Sequence, residues 1–311
     1  MNDPSIPITI IILNYNGADD TIQCVNSLLQ HLPEDPAFEI VVVDNKSTDD
    51  SLSVIQSAFV HDEITVISSK ENAGFAAGNN IGIRYALEKG EGFICLLNSD
   101  TVAVSDFLTP CINVLKEDRS AAFVSPGIVD HYSGKFQNTG LEISLMRTHA
   151  SFINNDVTPD SSLPERINCD MVSGCCMVFH TSLIEKIGFL PEYYFMYFEE
   201  TEWCWKAKKK RYHAVSLPGI GLLHKGRVSF TGKNELYDYL YERNRVVFAK
   251  RCMNRLQFIV FLFYDFLKCF YRAHKEKVPL RHFLHPHIDG LKNRVDPSIF
   301  TIPNAVWRTD V

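Results

Sequence analysis

The sequence of 311 residues has no apolar run long enough to cross a membrane. The longest such run lies within residues 256–271, where Asp265 and Lys268 interrupt it, and a spanning helix needs roughly 20 apolar residues. The N-terminus carries Asp3 and a short apolar run instead of the basic and long apolar segments of a secretory signal. These absences predict a cytoplasmic protein that is either free or peripheral at the inner face of the cytoplasmic membrane.

Three common signatures of nucleotide and metal chemistry are also missing. No GxGxxG motif follows a predicted strand, and residues 226–234 do not form a Walker A loop, because five residues separate the glycines and Asn follows Lys. The nine cysteines include no CxxC pair, and several lie inside apolar runs. The sequence therefore argues against a nicotinamide enzyme, a P-loop enzyme, a zinc module and a disulfide framework. Free thiols in a reducing compartment are expected.

The chain as a whole has fewer basic than acidic residues. The formal net charge is -6, which argues against a general nucleic-acid binder. Residues 1–155 hold 20 acids and 8 bases, whereas residues 240–311 hold 6 acids and 13 bases. This asymmetry predicts different partners for the two ends of the chain.

The first hundred residues alternate between two periodicities. Apolar, β-branched runs predict strands, and apolar residues at helical spacing predict helices between them. The predicted strands are 8–13, 38–43, 64–68 and 92–97, and the predicted helices are 21–32, 51–59 and 79–89. Such alternation indicates an α/β fold with a mostly parallel central sheet flanked by helices. Residues 130–168 are polar and predict a long excursion or weak hairpins.

Polar side chains follow these strands, where open α/β sheets bind their ligands. Asp44 follows the second strand. Its carboxylate could accept a hydrogen bond from a nucleotide base or a ribose hydroxyl, or it could cap the next helix. Asp100, at the end of Asn98-Ser99-Asp100, is placed either to hold Mg²⁺ or Mn²⁺ or to form a simple turn.

Two further groups carry candidate chemistry. Glu199, Glu200 and Glu202 begin a predicted helix, on which Glu199 and Glu202 share a face. Neighbouring acids raise one another's proton affinity, as a general base requires, although a solvated helix start shows the same pattern. The His224 side chain could either bind a metal ion or pack in the core. The positive charges of Lys225 and Arg227 beside it could neutralise a diphosphate.

The order of these features resembles glycosyltransferase family 2, whose members have the GT-A fold. The resemblance covers about residues 7–250 and is strongest to the rhamnosyltransferase branch that builds bacterial surface polysaccharides such as O-antigen and capsule. It rests on residues 11–17 (IILNYNG), 41–49 (VVVDNKSTD), 72–80 (NAGFAAGNN), 96–101 (LLNSDT), 172–177 (VSGCCM), 194–200 (YFMYFEE) and 241–245 (YERNR).

The resemblance implies a role for each matching position. Glu200 falls where the family carries its catalytic base, and Asp100 and His224 are implied ligands of Mn²⁺ or Mg²⁺. The resemblance implies that the acceptor is bound by Gly174, Glu199 and Glu202. The implied nucleotide-sugar residues are Asn14, Asn16, Asp44, Asn72, Gly74, Asn79, Asn98, Asp100, Lys225 and Arg227. The sequence departs from the family in having Glu rather than Asp at positions 200 and 202, and only the last acid of the DxD-like motif.

The implied enzyme is an inverting, metal-dependent hexosyltransferase. Its expected donor is dTDP-rhamnose, with a UDP-hexose or UDP-galactofuranose as alternatives, and its acceptor is a hydroxyl of a growing polysaccharide or a lipid-linked saccharide. A sugar-nucleotide nucleotidyltransferase and a non-catalytic binding module are alternatives of another class. The catalytic domain is expected over residues 1–245, with a nucleotide-sugar half at 1–120 and an acceptor half at 121–245.

Residues 246–311 are expected to form a helical extension that is both basic and aromatic. Within it, residues 253–272 have flanking Lys and Arg and include the large apolar side chains Phe258, Ile259, Phe261, Leu262, Phe263, Phe266, Leu267 and Phe270. This composition predicts either contact with an anionic membrane surface or a helix packed on the catalytic domain or in a homodimer.

Overall fold

The first half of the chain forms the alternating strands and helices that its periodicity predicts. In the computed structural model, the described residues are 7–35, 37–59, 64–160, 162–226 and 235–295. The strands of this half are β1 (Ile8–Asn14), β2 (Glu39–Asp44), β3 (Ile64–Ser68) and β4 (Phe93–Asn98). The helices between them are α1 (Ala18–His31), α2 (Ser51–Ala58) and α3 (Phe75–Glu88).

These four strands pair in parallel, in the order β3-β2-β1-β4. The apolar side chains of β1, β2 and β4 are buried on both faces, as helices above and below a parallel sheet require, whereas those of the edge strand β3 are partly buried. The register sets Asn14 opposite Asp44, and Leu13 opposite Asn98. The carboxyl ends of β1, β2 and β4 therefore meet at one edge of the sheet.

The second half extends the same sheet with strands of both directions. Its elements are β5 (Thr101–Ala103), α4 (Leu108–Glu117), β6 (Ala121–Asp130), β7 (Phe136–Asn138), β8 (Leu141–Ser144), β9 (His149–Phe152), β10 (Ile167–Cys169), β11 (Cys176–His180), α5 (Ser182–Ile187), a 3-10 turn (Glu192–Tyr194), α6 (Glu199–Lys209) and β12 (His213–His224). Strand β11 lies antiparallel between β4 and β6, and β12 runs parallel to β6. The polar stretch 130–168 contains the short hairpin β8–β9, in agreement with the weak hairpins expected there.

Three helices form the C-terminal part: α7 (Glu235–Cys252), α8 (Arg255–Glu276) and α9 (Leu280–Lys292). Helix α7 packs on α6 and on the 3-10 turn, and α8 and α9 pack on α7. The expected domain boundary at residue 245 lies inside α7, and the chain turns at Asn254, which caps α8. The division into catalytic domain and extension stays a prediction.

Two expectations about composition concern the core and the membrane. All nine cysteines are free, and eight of them are buried, so the thiols pack as small apolar side chains. Within the described ranges, no helix has the length and apolar character needed to cross a bilayer.

Helix α3 begins four residues before the predicted start at residue 79, because of the backbone at Gly74. Gly74 has φ +92°, which directs the chain into the helix, and the N–H of Phe75 donates to the carbonyl of Phe195, 2.7 Å away. A Cβ atom on Gly74 would lie 2.1 Å from that same carbonyl oxygen. Glycine is therefore required here for both the dihedral angle and the close approach.

Gly74→Ala is expected to destabilise the fold more than Gly90→Ala does. Both glycines have positive φ, but a Cβ on Gly90 meets nothing within 4 Å. The Gly90 variant therefore loses about 1–2 kcal/mol for the dihedral angle alone, whereas the Gly74 variant loses about 1–3 kcal/mol more through overpacking. Urea unfolding of the two variants measures the difference. Equal losses would contradict the close approach to Phe195.

Candidate functional site

The loops that follow β1 and β2 are joined by a network centred on Asp44. The buried amide of Asn14 donates to Asp44 Oδ1 at 2.8 Å, and the Ser47 N–H donates to Oδ2 at 3.1 Å. Asn16 has φ +54° and bridges the same loops, accepting from the Thr48 N–H at 2.8 Å. Asp44 is 1% exposed. Asn14, Asn16 and Asp44 thus lie together, as predicted, and their side chains fix the edge on which a nucleotide base would rest.

A second loop, residues 72–75, is fastened to this edge by Asn45. The Asn45 amide donates to Asn72 Oδ1 at 2.9 Å and to the Gly74 carbonyl at 3.2 Å. Asn79 is buried in the first turns of α3, where its amide donates to the Phe75 carbonyl at 3.0 Å. The sequence analysis assigned no role to Asn45, although it directly follows Asp44. Its buried Oδ1 has no hydrogen-bond partner among the described residues.

Asp100 and His224 are brought together by the pairing of β5 with β12. The register sets His224 opposite Thr101, and His224 Nε2 lies 3.2 Å from Asp100 Oδ1. Asn98 lies beside them, with its amide nitrogen 3.4 Å from His224 Nε2. Burial tends to raise the pKa of the Asp100 carboxyl, but the hydrogen bond from His224 and the charges of His224 and Lys225 outweigh it and lower this pKa.

The other ring nitrogen of His224 is held by Gln137, which the sequence analysis missed. Gln137 Oε1 lies 2.8 Å from His224 Nδ1, and the Gln137 amide lies 3.2 Å from the His224 carbonyl. An acceptor at Nδ1 keeps a ring proton there, so a bound cation could replace the proton through which Nε2 hydrogen bonds to Asp100. Gln137 lies in the polar excursion, where no local pattern marks it.

This donor set fits a divalent cation. The Oδ1 atom of Asp100 and the Nε2 atom of His224 lie 3.2 Å apart. This is about the spacing of adjacent ligand atoms on an octahedral ion with bonds of roughly 2.1 Å. Oxygen and imidazole ligands are those that Mn²⁺ accepts, and an ion held by so few protein groups keeps positions for phosphate oxygens.

Of the two basic residues predicted to meet a diphosphate, the structure describes Lys225. The Lys225 ammonium pairs with Asp20 and Gln23 on α1, so its charge is already matched by protein groups. Its role toward a diphosphate stays a prediction. Arg227 lies outside the described residues.

Glu199 and Glu200 stand at the end of a strained backbone segment. Phe195, Tyr197 and Phe198 have φ of +70°, +71° and +77°, values that bulky residues rarely adopt. Glu199 is 2% exposed, whereas Glu200 is partly exposed, and the Oε2 atoms of both are buried without a hydrogen-bond partner in the described part of the chain. The pair is therefore held in place by the backbone and not by cations.

The surroundings of these two acids favour their protonated forms. Burial, and then the charge of Glu200, raise the pKa of Glu199 well above its usual value, and burial raises the pKa of Glu200. Gly174 lies against Glu200, since a Cβ there would be 3.3 Å from Glu200 Oε1. The neighbouring Cys175 carbonyl accepts from the Asn98 N–H at 2.9 Å. Residues 173–175 thus connect Glu200 with the Asp100 strand end.

Glu202 lies in the same first turn of α6 as this pair, but its carboxylate has partners of its own. Its carboxylate accepts from the Tyr194 hydroxyl at 2.6 Å and pairs with Lys206 at 3.0 Å and Arg251 at 3.2 Å. Burial alone would raise the pKa of Glu202, but the tyrosine hydrogen bonds and Lys206 lower it. These partners hold the carboxylate toward α7, and its acceptor role stays a prediction.

Asn244 holds the strained segment, and its role was not predicted. Its buried amide donates to the carbonyls of Tyr194, Met196 and Tyr197 at 3.1, 2.7 and 2.9 Å. Arg243 donates from Nη1 to the Tyr193 carbonyl and to Asn244 Oδ1, both at 2.7 Å. The motif at 241–245 therefore fixes the backbone that presents Glu199 and Glu200.

A further cluster of metal-capable side chains lies between α7, α8 and α9. Among the described residues, Glu242, Asp265 and His287 form the one group of three with ligand atoms close enough for a shared ion. Arg245 pairs with Asp265 at 3.0 Å, and Lys268 pairs with Glu242 at 3.1 Å. Protein cations already match these carboxylates, so the cluster is an ion-pair network that joins the three helices.

Comparison with known proteins identifies the family of the chain. The model of "Glycosyl transferase family 2" matches residues 9–188. The chain is 28% identical over 271 residues to the low-salt glycan biosynthesis hexosyltransferase Agl10 of Haloferax volcanii, covering 81% of this chain and 79% of the relative. It is 26% identical over 226 residues to the dTDP-rhamnosyl transferase RfbF of Shigella flexneri, covering 70% of this chain and 68% of the relative.

The fold is shared with a solved transferase structure. The crystal structure of GalNAc-T7 with UDP, GalNAc and Mn²⁺ superposes with a TM-score of 0.66 at 14% identity, covering 92% of this chain and 55% of that one. This chain thus spans about half the length of that neighbour, and the likeness shows the predicted GT-A fold. With the family model matched over more than half of its residues, the chain belongs to glycosyltransferase family 2 and is a glycosyltransferase of the sugar-nucleotide-dependent kind.

Proposed function

We propose that the protein is an inverting, metal-dependent transferase with Glu200 as its general base. The observation that carries this proposal is the link through residues 173–175. They contact the carboxyl of Glu200 at Gly174 and hydrogen bond to the Asp100 strand end through Cys175. One short turn thus connects a proton acceptor with a candidate cation site, and this supports a reaction between an acceptor hydroxyl and a sugar diphosphate.

In the proposed step, Glu200 takes the proton of the acceptor hydroxyl as its oxygen bonds to the anomeric carbon. The bond from that carbon to the diphosphate oxygen breaks on the opposite face, and the nucleoside diphosphate leaves with the electron pair. Glu200 suits the base because it is the partly exposed member of the pair, whereas Glu199 is buried. A divalent cation bound at Asp100 and His224 would supply positive charge to the leaving diphosphate.

The proposed donor is dTDP-rhamnose. The likeness to RfbF supports it, while Agl10 and the GalNAc-T7 structure keep other hexose donors as alternatives. The proposed nucleotide-sugar residues are those at the ends of β1, β2 and β4 and in the loop 72–75. The proposed acceptor is a hydroxyl of a growing bacterial surface polysaccharide or of a lipid-linked saccharide, next to Gly174 and Glu199. A lipid-linked acceptor would bring residues 253–272 to a membrane surface.

Donor binding tests this function directly. We expect one dTDP-, UDP- or GDP-sugar from a panel to raise the melting temperature, because a ligand bound only by the native state stabilises it. Mn²⁺ or Mg²⁺ should increase the shift in the parent chain but not in Asp100→Asn. The Asp156→Asn variant, which alters an exposed acid that pairs with Lys135, is the matched control. A folded protein that no sugar nucleotide stabilises would contradict the proposal.

Glu200→Gln is expected to lose activity and to gain stability at high pH. General-base help is worth about 10²–10⁴-fold, so release of nucleoside diphosphate should fall by that factor. Because the folded-state pKa of Glu200 is raised, its ionisation costs stability as pH rises from its unfolded value of about 4.3 through the folded value. The variant should therefore melt higher than the parent at pH 8 but not at pH 4.

Glu199→Gln is the matched control for that experiment. Glu199 is the more buried of the two and is placed beside the acceptor, so its variant should raise the KM for the acceptor and lower kcat far less than Glu200→Gln does. In the parent, kcat/KM should fall as pH drops through the raised pKa of Glu200. Full activity in Glu200→Gln, or its loss only in Glu199→Gln, would reassign the base.

Gln137→Ala is expected to weaken Mn²⁺ binding by about 10–100-fold, since partners that orient a metal-binding histidine contribute this much. Calorimetric titration with Mn²⁺ measures the affinity without any assay of turnover. Gln137→Glu retains an acceptor for His224 Nδ1 and should restore binding, and the exposed Gln56→Ala on α2 serves as the control. Unchanged affinity in Gln137→Ala would show that His224 is not a ligand.

A further inference from the structure

Helix α8 has one buried face and one exposed face, and the exposed face is apolar. Its buried residues are Phe261, Asp265 and Cys269. Its exposed large apolar residues are Leu256, Ile259, Val260, Phe263, Tyr264, Phe266, Leu267, Phe270 and Tyr271. These nine are more than half of the 17 exposed large apolar side chains in the part of the chain that the structure describes. An exposed patch of this kind marks an interaction surface.

The buried face of α8 is held by charge, so the helix cannot simply roll to bury its apolar face. Asp265 pairs with Arg245 of α7 at 3.0 Å and with His287 of α9 at 2.5 Å. Burial alone would lower the pKa of His287, but its hydrogen bonds to Asp265 and Cys269 raise it to about 10. His287 is therefore charged at neutral pH and keeps α8 fixed between its neighbours.

A basic cavity of about 680 Å³ lies beside the start of α8, where α5, α6 and α7 end. Its cationic lining residues are Lys186, Lys206, Lys209, Lys210, Lys250 and Arg251. Glu202 is the one acid among the lining residues and is shared by Lys206 and Arg251. The cavity therefore carries an uncompensated positive charge in a chain whose net charge is -6.

The cavity and the apolar face are neighbours along the chain. Cys252 lines the cavity, and α8 begins at Arg255. Consecutive Cα atoms are about 3.8 Å apart, so these two residues are separated by at most about 11 Å. A surface that offers anionic groups together with acyl chains would satisfy both features.

We propose that this end of the molecule docks on an anionic lipid surface, with the exposed face of α8 against the acyl boundary and a headgroup phosphate in the basic cavity. This deepens the membrane contact of the proposed function by naming the lipid charge and the groups that recognise it. It involves no residue of the proposed donor site.

Charge favours a lipid surface over a second copy of the chain. A two-fold dimer places the same patch on both partners, so the cations of the cavity and the flanking Arg255 and Lys268 would face their own copies. Anionic headgroups instead attract juxtamembrane Lys and Arg, each by about fivefold in affinity.

Vesicle co-sedimentation of the full chain tests the proposal. We expect binding to phosphatidylcholine vesicles that contain phosphatidylglycerol, little binding to pure phosphatidylcholine, and weaker binding as NaCl rises from 50 to 500 mM. The double variant Phe263→Glu and Phe270→Glu should lose binding by at least tenfold. Phe152→Glu, at a comparably exposed phenylalanine on β9, is the matched control.

The cavity is tested separately by Lys209→Ser with Lys210→Ser, which should weaken binding by about 25-fold, while the exposed Lys70→Ser should weaken it much less. Thermal shift with the sugar nucleotide that stabilises the parent shows that each variant is folded and that the donor site is separate. Equal binding to neutral and anionic vesicles, or no binding, would overturn the proposal. So would a dimer, seen by sedimentation velocity, that the double phenylalanine variant abolishes.

Discussion

The candidate site depends on the strained backbone from Phe195 to Phe198. Three bulky residues there adopt positive φ, at a cost of order 1–3 kcal/mol each, so surrounding contacts must hold them. Asn244 supplies three hydrogen bonds from α7, and the backbone at Gly74 and Phe75 packs on the Phe195 carbonyl. The segment therefore joins the loop proposed to hold the donor to the helix that carries the proposed base.

A second constraint is the antiparallel insertion of β11 between β4 and β6. It brings residues 173–175 alongside the end of β4, so that one short turn contacts both Glu200 and the Asp100 strand end. The pairing of β5 with β12 then places His224 beside Asp100, although the two residues are far apart in the sequence. Neither contact is local, and each needs the mixed half of the sheet.

The parallel half and its strand-end residues could be predicted because their signals are local. β-Branched runs mark β1 to β4, and Asn14, Asp44 and Asp100 follow them directly. Gln137 and Asn244 could not be found this way, since each acts through a partner far along the chain. The misplaced start of α3 has the same cause, a contact with Phe195 more than a hundred residues away. The partners of Glu202 could not be found from helical spacing either, because Tyr194 and Arg251 come from other elements.

Charge distribution adds an argument for the proposed cation. A nucleoside diphosphate is an anion, yet residues 1–155 hold 20 acids and 8 bases. Lys225, the described cation next to His224, is already paired with Asp20. Asp100 and Asp44 add negative charge at the same edge of the sheet, so a diphosphate would meet repulsion there. Since Asp100 Oδ1 and His224 Nε2 lie 3.2 Å apart, a divalent ion held by both would reverse the sign of the field where a leaving diphosphate would develop its charge.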